Sequence, residues 1–478
     1  MTDKTRLRRG GLSFRETIAL SVAVMAPTAA LALNGVFAAG KAGGSAPFAF
    51  LAAMAAIGLV AYAFVSLTRV FAHSGSVYGF NGVTLGPRAG FFSGWALLGT
   101  YFAFAAGSVA EAGSFLQTLL GNLGVSVGWL PVALAAGLLV WVLAYNAITL
   151  STRVALVLEG VSVLLILALT VAILVAVGRA GGLRLAPLTP DGHAPGDLAQ
   201  AAVFGFLAFA GFEGAATLGE ETRNPRRTVP LALTAAVVLT GVLYIVVVYG
   251  QTVGYGLNPA GIAAYASSSA PLDSLSRRYV GAAMASVLDA AATISALAGA
   301  LGAANAAARV LYAMGRDGFG APRLGTVSPR TGAPVLALAV VMGASLATIS
   351  VWARDPSVNG ATLIGYLGTM GTLSLLVAYA LTCVGTIRYF RARRLWTWQY
   401  VVPIVAVLAL GYTLYSSIYP VPPAPYNVFP YVTLGWLLVG GVIVLASPVL
   451  VRRIGRRLGE AEGLRVEEHA GSAPSTTG

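Results

Sequence analysis

The residues with the clearest capacity for chemistry lie in two apolar stretches, and the first is SVAVMAPTAALAL at 21–33. Pro27 interrupts this stretch, because proline donates no backbone hydrogen bond and its ring collides with the preceding turn of a helix. Thr28 beside it adds a hydroxyl group. The pattern predicts a helix that breaks here and restarts. The new helix end would present free N–H groups and a positive dipole, which suit a carboxylate.

The second stretch is FLAFAGFEGAATLGEE at 206–221, in which Gly211 and Gly214 flank the carboxylate of Glu213. Glycine leaves helical geometry at little steric cost. Irregular backbone at membrane depth persists only where it is buried or lines a wet cavity. Unwound carbonyls suit an ammonium group or a cation. The two breaks together predict a site for a solute that carries both an ammonium and a carboxylate, as an amino acid does.

The composition indicates that the two breaks lie in membrane-spanning helices. The chain has 478 residues, of which 57% are hydrophobic and 10% charged, whereas soluble domains are about a quarter charged. A membrane span needs about 20 apolar residues. The sequence therefore predicts an all-α integral membrane protein with twelve spans, at 16–40, 48–72, 90–120, 128–147, 152–178, 198–222, 228–252, 280–314, 332–353, 359–388, 398–419 and 426–451.

The basic residues predict the orientation. One set of connections between these spans carries 24 Lys and Arg residues and the opposite set carries 6. Basic loops stay in the cytoplasm, so both termini are predicted to be cytoplasmic in a plasma (inner) membrane protein. The net charge of +13 is explained by this topology, and no nucleic-acid module is recognisable. The expected partners are the lipid bilayer and a small-molecule substrate, and the oligomeric state is left open.

The composition also argues against other site chemistry. Cys383 is the only cysteine, so an intramolecular disulfide or a paired-cysteine metal site is excluded. The three histidines are scattered along the chain, and no metal or cofactor is expected beyond a coupling ion. The sequence offers no nucleophile–base pair or phosphate loop at a span end, which disfavours an enzyme.

The positions of the two breaks suggest an internal repeat. The first and sixth spans lie five spans apart, an odd number, so equivalent spans cross the membrane in opposite senses. Two inverted five-span repeats with substrate bound between the breaks are the expected arrangement. The predicted organisation is therefore a cytoplasmic segment at 1–15, a ten-span core at 16–388 with repeats at about 16–178 and 198–388, two additional spans at 398–451, and a disordered cytoplasmic tail at 452–478.

Three motifs resemble those of the amino acid–polyamine–organocation permeases. FAGFEGAATLGEETRNPRRTVP at 209–230 resembles the sixth-span signature, HSGSVYGFNGVTLGPRAGFFSGW at 73–95 is similar to the entry to the third span, and MGRDGFGAPRLGTVSPRTGAP at 314–334 looks like the loop after the eighth. The resemblance extends over about 13–451. It implies secondary transport of amino acids or related amines by alternating access, with the core built as inverted repeats.

The resemblance also implies roles for individual residues. The first-span break would bind the substrate carboxylate through Met25, Ala26, Pro27, Thr28 and Ala29. The sixth span would bind the ammonium group and close over the ligand through Phe206, Phe209, Ala210 and Gly211, with Tyr101 of the third span as a further contact. Glu213 falls on a family position associated with proton-sensitive gating.

The coupling ion stays open between H⁺ and Na⁺. Several family members carry a fifth-span lysine that stands in for sodium, and the alignment places Ser162 at that position. Ser162 and Ser295 of the eighth span could bind sodium through oxygen, although helix packing is the more ordinary role of such hydroxyls. Glu220 and Glu221 could pair with nearby arginines at the cytoplasmic surface, either as weak surface pairs or as an inner gate.

Four carboxylates fall inside predicted spans, and ionisable groups there are functional candidates; they are Glu111, Glu159, Glu213 and Asp289. Glu213 directly follows a break, so it is the predicted residue for binding and releasing a proton. Glu159 could pair with a neighbouring helix, and Glu111 and Asp289 are expected near the outer surface.

Small and aromatic residues dominate the predicted pocket, which favours a neutral amino acid. The alternatives are a polyamine or other organic amine, favoured by Glu111 and Asp289 without lysine partners, and, from other classes, a channel or a transporter-like solute receptor.

Overall fold

The computed structural model describes residues 18, 22, 25–71, 77–146, 152–213, 224–392 and 398–461. Within these ranges every regular element is helical. The α-helices are α1 (Pro27–Ala42), α2 (Ala46–Thr68), α3 (Val77–Leu85), α4 (Pro87–Asn122), α5 (Trp129–Tyr145), α6 (Thr152–Arg179), α7 (Pro195–Phe209), α8 (Pro225–Tyr255), α9 (Pro259–Ala266), α10 (Pro271–Tyr279), α11 (Ala282–Arg316), α12 (Val335–Trp352), α13 (Gly360–Ala392), α14 (Val401–Ser416), α15 (Phe429–Ala446) and α16 (Pro448–Ala461).

Each predicted span overlaps one of these helices. Eight segments of the described chain are long and apolar enough to cross a membrane, and the first of them, Pro27–Thr68, contains both α1 and α2. Helices α5, α7 and α14 are apolar but shorter. The prediction of an all-helical membrane protein is confirmed, and the number of twelve crossings stays a prediction.

The centre of the bundle is the antiparallel pair α4 and α11. At one end of the pair, Asn122 Nδ2 donates to Asp289 Oδ2 at 3.0 Å. At the other end, the hydroxyl of Tyr78 on α3 donates to Asp317 Oδ2, just beyond α11, at 2.6 Å. Helix α13 lies along α4, where Thr100 Oγ1 donates to the carbonyl of Gly371 at 3.0 Å. These interhelical bonds satisfy polar groups that lipid could not.

Packing also joins helices that lie five predicted spans apart. Helix α1 packs on α7, α2 on α8, α4 on α11 and α5 on α12. Helix α15 docks on α4 through Trp95 and Trp436, whose rings stack at 4.3 Å. Trp95 Nε1 donates to the carbonyl of Trp436 at 2.7 Å, and Trp436 Nε1 donates to that of Trp95 at 3.1 Å. Gly99 and Gly440 leave the space that these two rings occupy.

The structure adds helices outside the predicted spans. The connection 253–279 between two of these spans contains helices α9 and α10. The tail expected to be disordered from 452 is helical to Ala461 in α16. The reason lies in its apolar face, because Leu450 and Ile454 are buried against the bundle while Arg452 and Arg453 are exposed. An amphipathic helix of this kind forms by packing one face.

Candidate functional site

The first break lies at the start of α1. Ala26 adopts a left-handed conformation with φ 43°, and Pro27 follows as the first helical residue. Proline suits this position, because its missing N–H would have no intrahelical partner there. No local side chain caps the helix. Instead the N–H of Thr28 donates to Glu159 Oε1 at 2.8 Å, and the N–H of Ala29 donates to Ser295 Oγ at 3.1 Å.

The second break follows α7, which ends at Phe209. Gly211 has φ 96°, a conformation that favours glycine. The carbonyl of Ala208 accepts a hydrogen bond from the Tyr244 hydroxyl at 2.9 Å, so a seventh-span side chain satisfies the broken end. The predicted span extended to residue 222, but the helix stops well before it, and residues 214–223 lie outside the described chain.

Glu213 ties this second break to two other helices. Its side chain is only 4% exposed. The hydroxyl of Tyr101 on α4 donates to Oε1 at 3.0 Å, and the hydroxyl of Tyr379 on α13 donates to Oε2 at 2.6 Å. Both carboxylate oxygens therefore have strong donors. A change in the charge of Glu213 would alter bonds to the third and tenth predicted spans at once.

A cavity of about 530 Å³ lies where the two breaks meet. Its wall includes Met25, Ala26 and Ala29 from the first break and Leu207, Ala210, Gly211 and Glu213 from the second. Helices α4, α11 and α13 complete the wall with Leu97, Tyr101, Phe104, Ser108, Glu111, Asn305, Arg309 and Ile364. A volume of this size suits a small organic solute.

The two ends of the cavity differ. Along α11 the wall runs from Gly299 to Ala313, and both Gly302 and Arg309 are exposed, so this end reaches solvent. Beyond Asn34 at the other end, aromatic rings are packed together: Phe37 and Phe204 lie 5.3 Å apart, and Phe204 contacts Tyr426 at 6.2 Å. The rings of Tyr366 and Phe429 extend this aromatic cluster. The cavity is accessible from the Arg309 end and covered at the aromatic end.

Several residues predicted to bind substrate do line this cavity, namely Met25, Ala26, Ala29, Tyr101, Ala210 and Gly211. Pro27, Thr28, Phe206 and Phe209 are not part of its wall. Phe209 is fully buried and packs edge-on against Tyr244 at 5.2 Å, and its closure over the ligand stays a prediction. Leu207 and Ala210 line the cavity whereas Phe206 and Phe209 do not, because Leu207 and Ala210 lie three residues apart on the face that turns to the cavity.

The predicted ion-coupling residues are separated by the structure. Ser295 reaches the first break, but the Ser162 hydroxyl donates to the carbonyl of Leu158 in its own helix at 2.8 Å. The fifth-span side chain at the break is Glu159, which lies almost one helical turn before Ser162. The role of Ser162 in binding sodium stays a prediction. Glu220 and Glu221 fall outside the described residues.

The remaining carboxylates occupy different surroundings. Asp289 is hydrogen bonded to Asn122, next to Asp273 and Arg277 of α10, and is not part of the cavity wall. Glu111, in contrast, lines the cavity and is 5% exposed. Sequence reasoning did not select Leu207, Asn34 or Arg309 as lining residues. The spacing of apolar residues along α7 could have indicated that Leu207 lines the cavity.

Comparison with known proteins identifies the family. The model of the amino acid permease family matches residues 12–442. A branched-chain amino acid permease of Lactococcus lactis is 30% identical, covering 70% of this chain and 75% of its own length. A low-affinity putrescine importer of Escherichia coli is 26% identical over 73% of this chain and 76% of its own. A methylthioribose transporter of Bacillus subtilis is 27% identical, covering 64% of this chain and 68% of its own length.

A solved structure supports the fold alone. A manganese transporter of Eremococcus coleocola superposes with a TM-score of 0.55 at 12% identity, covering 95% of this chain and 99% of the transporter. At that identity the match concerns the arrangement of helices and carries no information about the solute.

Proposed function

Because the chain belongs to the amino acid permease family, we propose that it is a secondary transporter that carries an amine-bearing solute of amino-acid size by alternating access. The observation that carries this proposal is the cavity between two broken helices, accessible at one end and covered by packed aromatic rings at the other. Alternating access requires a central site that opens to one side at a time.

The proposed architecture is the inverted repeat. Four of the five pairs of helices that lie five spans apart pack together, as expected of two halves that cross the membrane in opposite senses. Helices α14 and α15 are then the two additional spans. With the arginine-rich connections in the cytoplasm, the exposed Arg309 end of the cavity faces the inside of the cell and the aromatic cluster faces outward. The protein would lie in the plasma membrane.

Two substrate classes fit the family. A neutral amino acid is favoured by the apolar part of the wall, with Leu97, Phe104, Leu207 and Ile364. An organic amine is the second candidate, favoured by the carboxylate of Glu111 in the same wall. Relatives of both kinds exist, since one is a branched-chain amino acid permease and another a putrescine importer.

Protons are the proposed coupling ion, and Glu213 is the proposed proton site. Its carboxylate is held by Tyr101 and Tyr379 beside the second break, so protonation would weaken charge-assisted bonds that join three helices. We expect Glu213→Gln to lose the pH dependence of uptake while still binding substrate. Tyr379→Phe, which keeps the carboxylate, should retain that dependence. Unchanged pH dependence in Glu213→Gln would argue against this role.

Counterflow in proteoliposomes tests the transport function itself. Vesicles preloaded with a mixture of unlabelled amino acids and amines are challenged with labelled leucine, alanine, arginine, glutamate or putrescine. Accumulation of any label above that in empty vesicles would show carrier behaviour without a guess about the coupling gradient. Conductance without counterflow would indicate a channel. Binding without accumulation, by folded protein, would indicate a solute receptor.

A further inference from the structure

The N-terminal end of α1 has no free backbone N–H group in its first turn. Pro27 has no N–H, and the N–H groups of Thr28 and Ala29 donate to Glu159 and Ser295. The N–H of Ala30 bonds the carbonyl of Ala26 at 3.0 Å, within the helix. A helix N-terminus binds an anion through such groups. The anion at this helix end is the protein's own carboxylate, so the backbone of this first turn has no free N–H group for a substrate carboxylate.

Glu111 presents the opposite situation, because no residue of the described chain donates a hydrogen bond to its carboxylate. It lies on α4 in the cavity wall and is 5% exposed. No hydrogen bond or ion pair connects it with any residue that the structure describes. An isolated carboxylate removed from water is strongly disfavoured unless a cation or several donors compensate it. The cavity is the direction from which such a group can come.

Two neutral polar groups lie in the wall with Glu111. Asn34 of α1 is likewise 5% exposed, and no hydrogen bond joins it to the rest of the described chain. Ser108 precedes Glu111 by one helical turn, so both project to the same face of α4. Carboxylate, amide and hydroxyl oxygens together form an acceptor-rich wall. An ammonium group, with three donors, matches such a wall.

The cations of the described chain do not neutralise this wall. Arg309 lines the cavity but is exposed at its open end, where water screens its charge. Lys41 lies beyond the aromatic cluster, with Nζ 4.4 Å from the centre of the Tyr426 ring. The second carboxylate of the wall, Glu213, already accepts two phenol hydrogen bonds. Glu111 is the one carboxylate of the described wall that still requires a partner.

We propose that the cavity accepts an organic cation, an alkylamine or diamine, whose ammonium group pairs with Glu111 and which needs no carboxylate. The proposal rests on the transport function above and selects one of its two substrate classes. The ammonium lies between α4 and α1, below the aromatic cluster, and the alkyl chain contacts Ile364 and Leu207. The Thr28 N–H, which would be expected to bind the carboxylate of an amino acid, donates to Glu159 instead.

The test is counterflow of labelled putrescine and labelled leucine in proteoliposomes of the full chain, each preloaded with the same unlabelled compound. We expect putrescine to accumulate and leucine not to. Glu111→Gln should lower the initial rate at sub-saturating putrescine by about tenfold or more, the effect of losing a charge-assisted hydrogen bond. Glu111→Asp, which keeps the charge at a shorter reach, should fall in between. Asp289→Asn, a buried carboxylate outside the cavity, should stay close to the unmodified protein.

The outcomes separate the inference from the proposed function. Accumulation of leucine without putrescine would overturn the organic-cation proposal and leave the transporter intact. An unchanged putrescine rate in Glu111→Gln, or an equal loss in Asp289→Asn, would overturn the role of Glu111. No accumulation of putrescine or leucine, nor of alanine, arginine or glutamate in the counterflow test of the proposed function, would argue against transport altogether. If Glu111→Gln does not fold, protection of the unmodified protein against thermal unfolding by putrescine, but not by leucine, supports the proposal, and the reverse order overturns it.

Discussion

The two helix breaks reach the same cavity but are held by different means. The break before α1 contains no glycine, and its free N–H groups are satisfied by Glu159 and Ser295, which come from distant parts of the chain. The break after α7 depends on a local glycine, Gly211 at φ 96°, and on the carboxylate of Glu213. One break is maintained mainly by the neighbouring helices. The other combines a flexible backbone with a charged side chain that can change its state.

Both breaks are bound by a carboxylate, Glu159 at the first and Glu213 at the second. They differ in the donors, which are backbone N–H groups at the first break and tyrosine hydroxyls at the second. A break with a glycine and a carboxylate bound to two tyrosines is a place where protonation and movement can be linked. The variants below test that distinction, in order of expected effect. Cys383 is the single cysteine and is buried, so its labelling by a maleimide dye on heating reports unfolding in each variant.

The largest effect is expected from Phe209→Ala. The ring is fully buried and packs on Tyr244 behind the second break, so its removal should lower the free energy of unfolding by about 3–5 kcal/mol. Leu207→Ala, on the cavity wall, should cost less stability and change the KM of uptake. A normal unfolding temperature with a raised KM in Phe209→Ala would instead return Phe209 to the substrate site.

The next largest stability loss is expected at Glu213, and it should exceed the loss at Glu159. Glu213→Ala leaves two buried phenol hydroxyls without their acceptor, at about 1–3 kcal/mol for each. Glu159→Ala removes the acceptor of the Thr28 N–H and should cost less. Labelling of the Cys383 thiol on heating ranks the stabilities of the two variants. The reverse order would show that the first break is the more heavily supported one.

Backbone substitutions should give a smaller contrast. Gly211→Ala places a side chain at φ 96°, where an L-residue is strained by about 1–2 kcal/mol. Ala26→Gly at φ 43° relieves strain in the folded state but makes the unfolded chain more flexible, so its net change should stay within about 1 kcal/mol. Equal stability losses would contradict the idea that only the second break depends on glycine.

The smallest difference concerns two serines. Ser295→Ala removes the acceptor of the Ala29 N–H and should cost about 1 kcal/mol. Ser162→Ala removes only a bond to its own helix, where the carbonyl is already part of the helical pattern, and should change stability by less than about 0.5 kcal/mol. Uptake in sodium-free buffer is the second readout. A sodium requirement lost in Ser162→Ala would restore the sequence-based sodium site.

Much of the fold could be predicted from apolar run length, because lipid forces each long apolar run to become a helix. The same physics located Pro27 and Gly211 as breaks. It does not give the orientation of Phe209, because periodicity alone does not say which face of a uniformly apolar helix turns toward a cavity. It also does not show that Glu159 reaches α1, because Glu159 and Ser162 lie three residues apart on nearly the same helix face and only packing distinguishes them.

The sequence by itself determined an all-helical membrane protein of the amino acid permease family, with interruptions at Pro27 and Gly211, because chain composition and the chemistry of proline and glycine act locally. Only the tertiary structure decided that Glu159 occupies the end of α1, that Glu213 is bound by two tyrosines, and that Glu111 faces the cavity with no hydrogen-bond partner among the described residues. Those facts depend on side chains from helices far apart in the chain. Their meeting is fixed by helix packing, which no local pattern encodes.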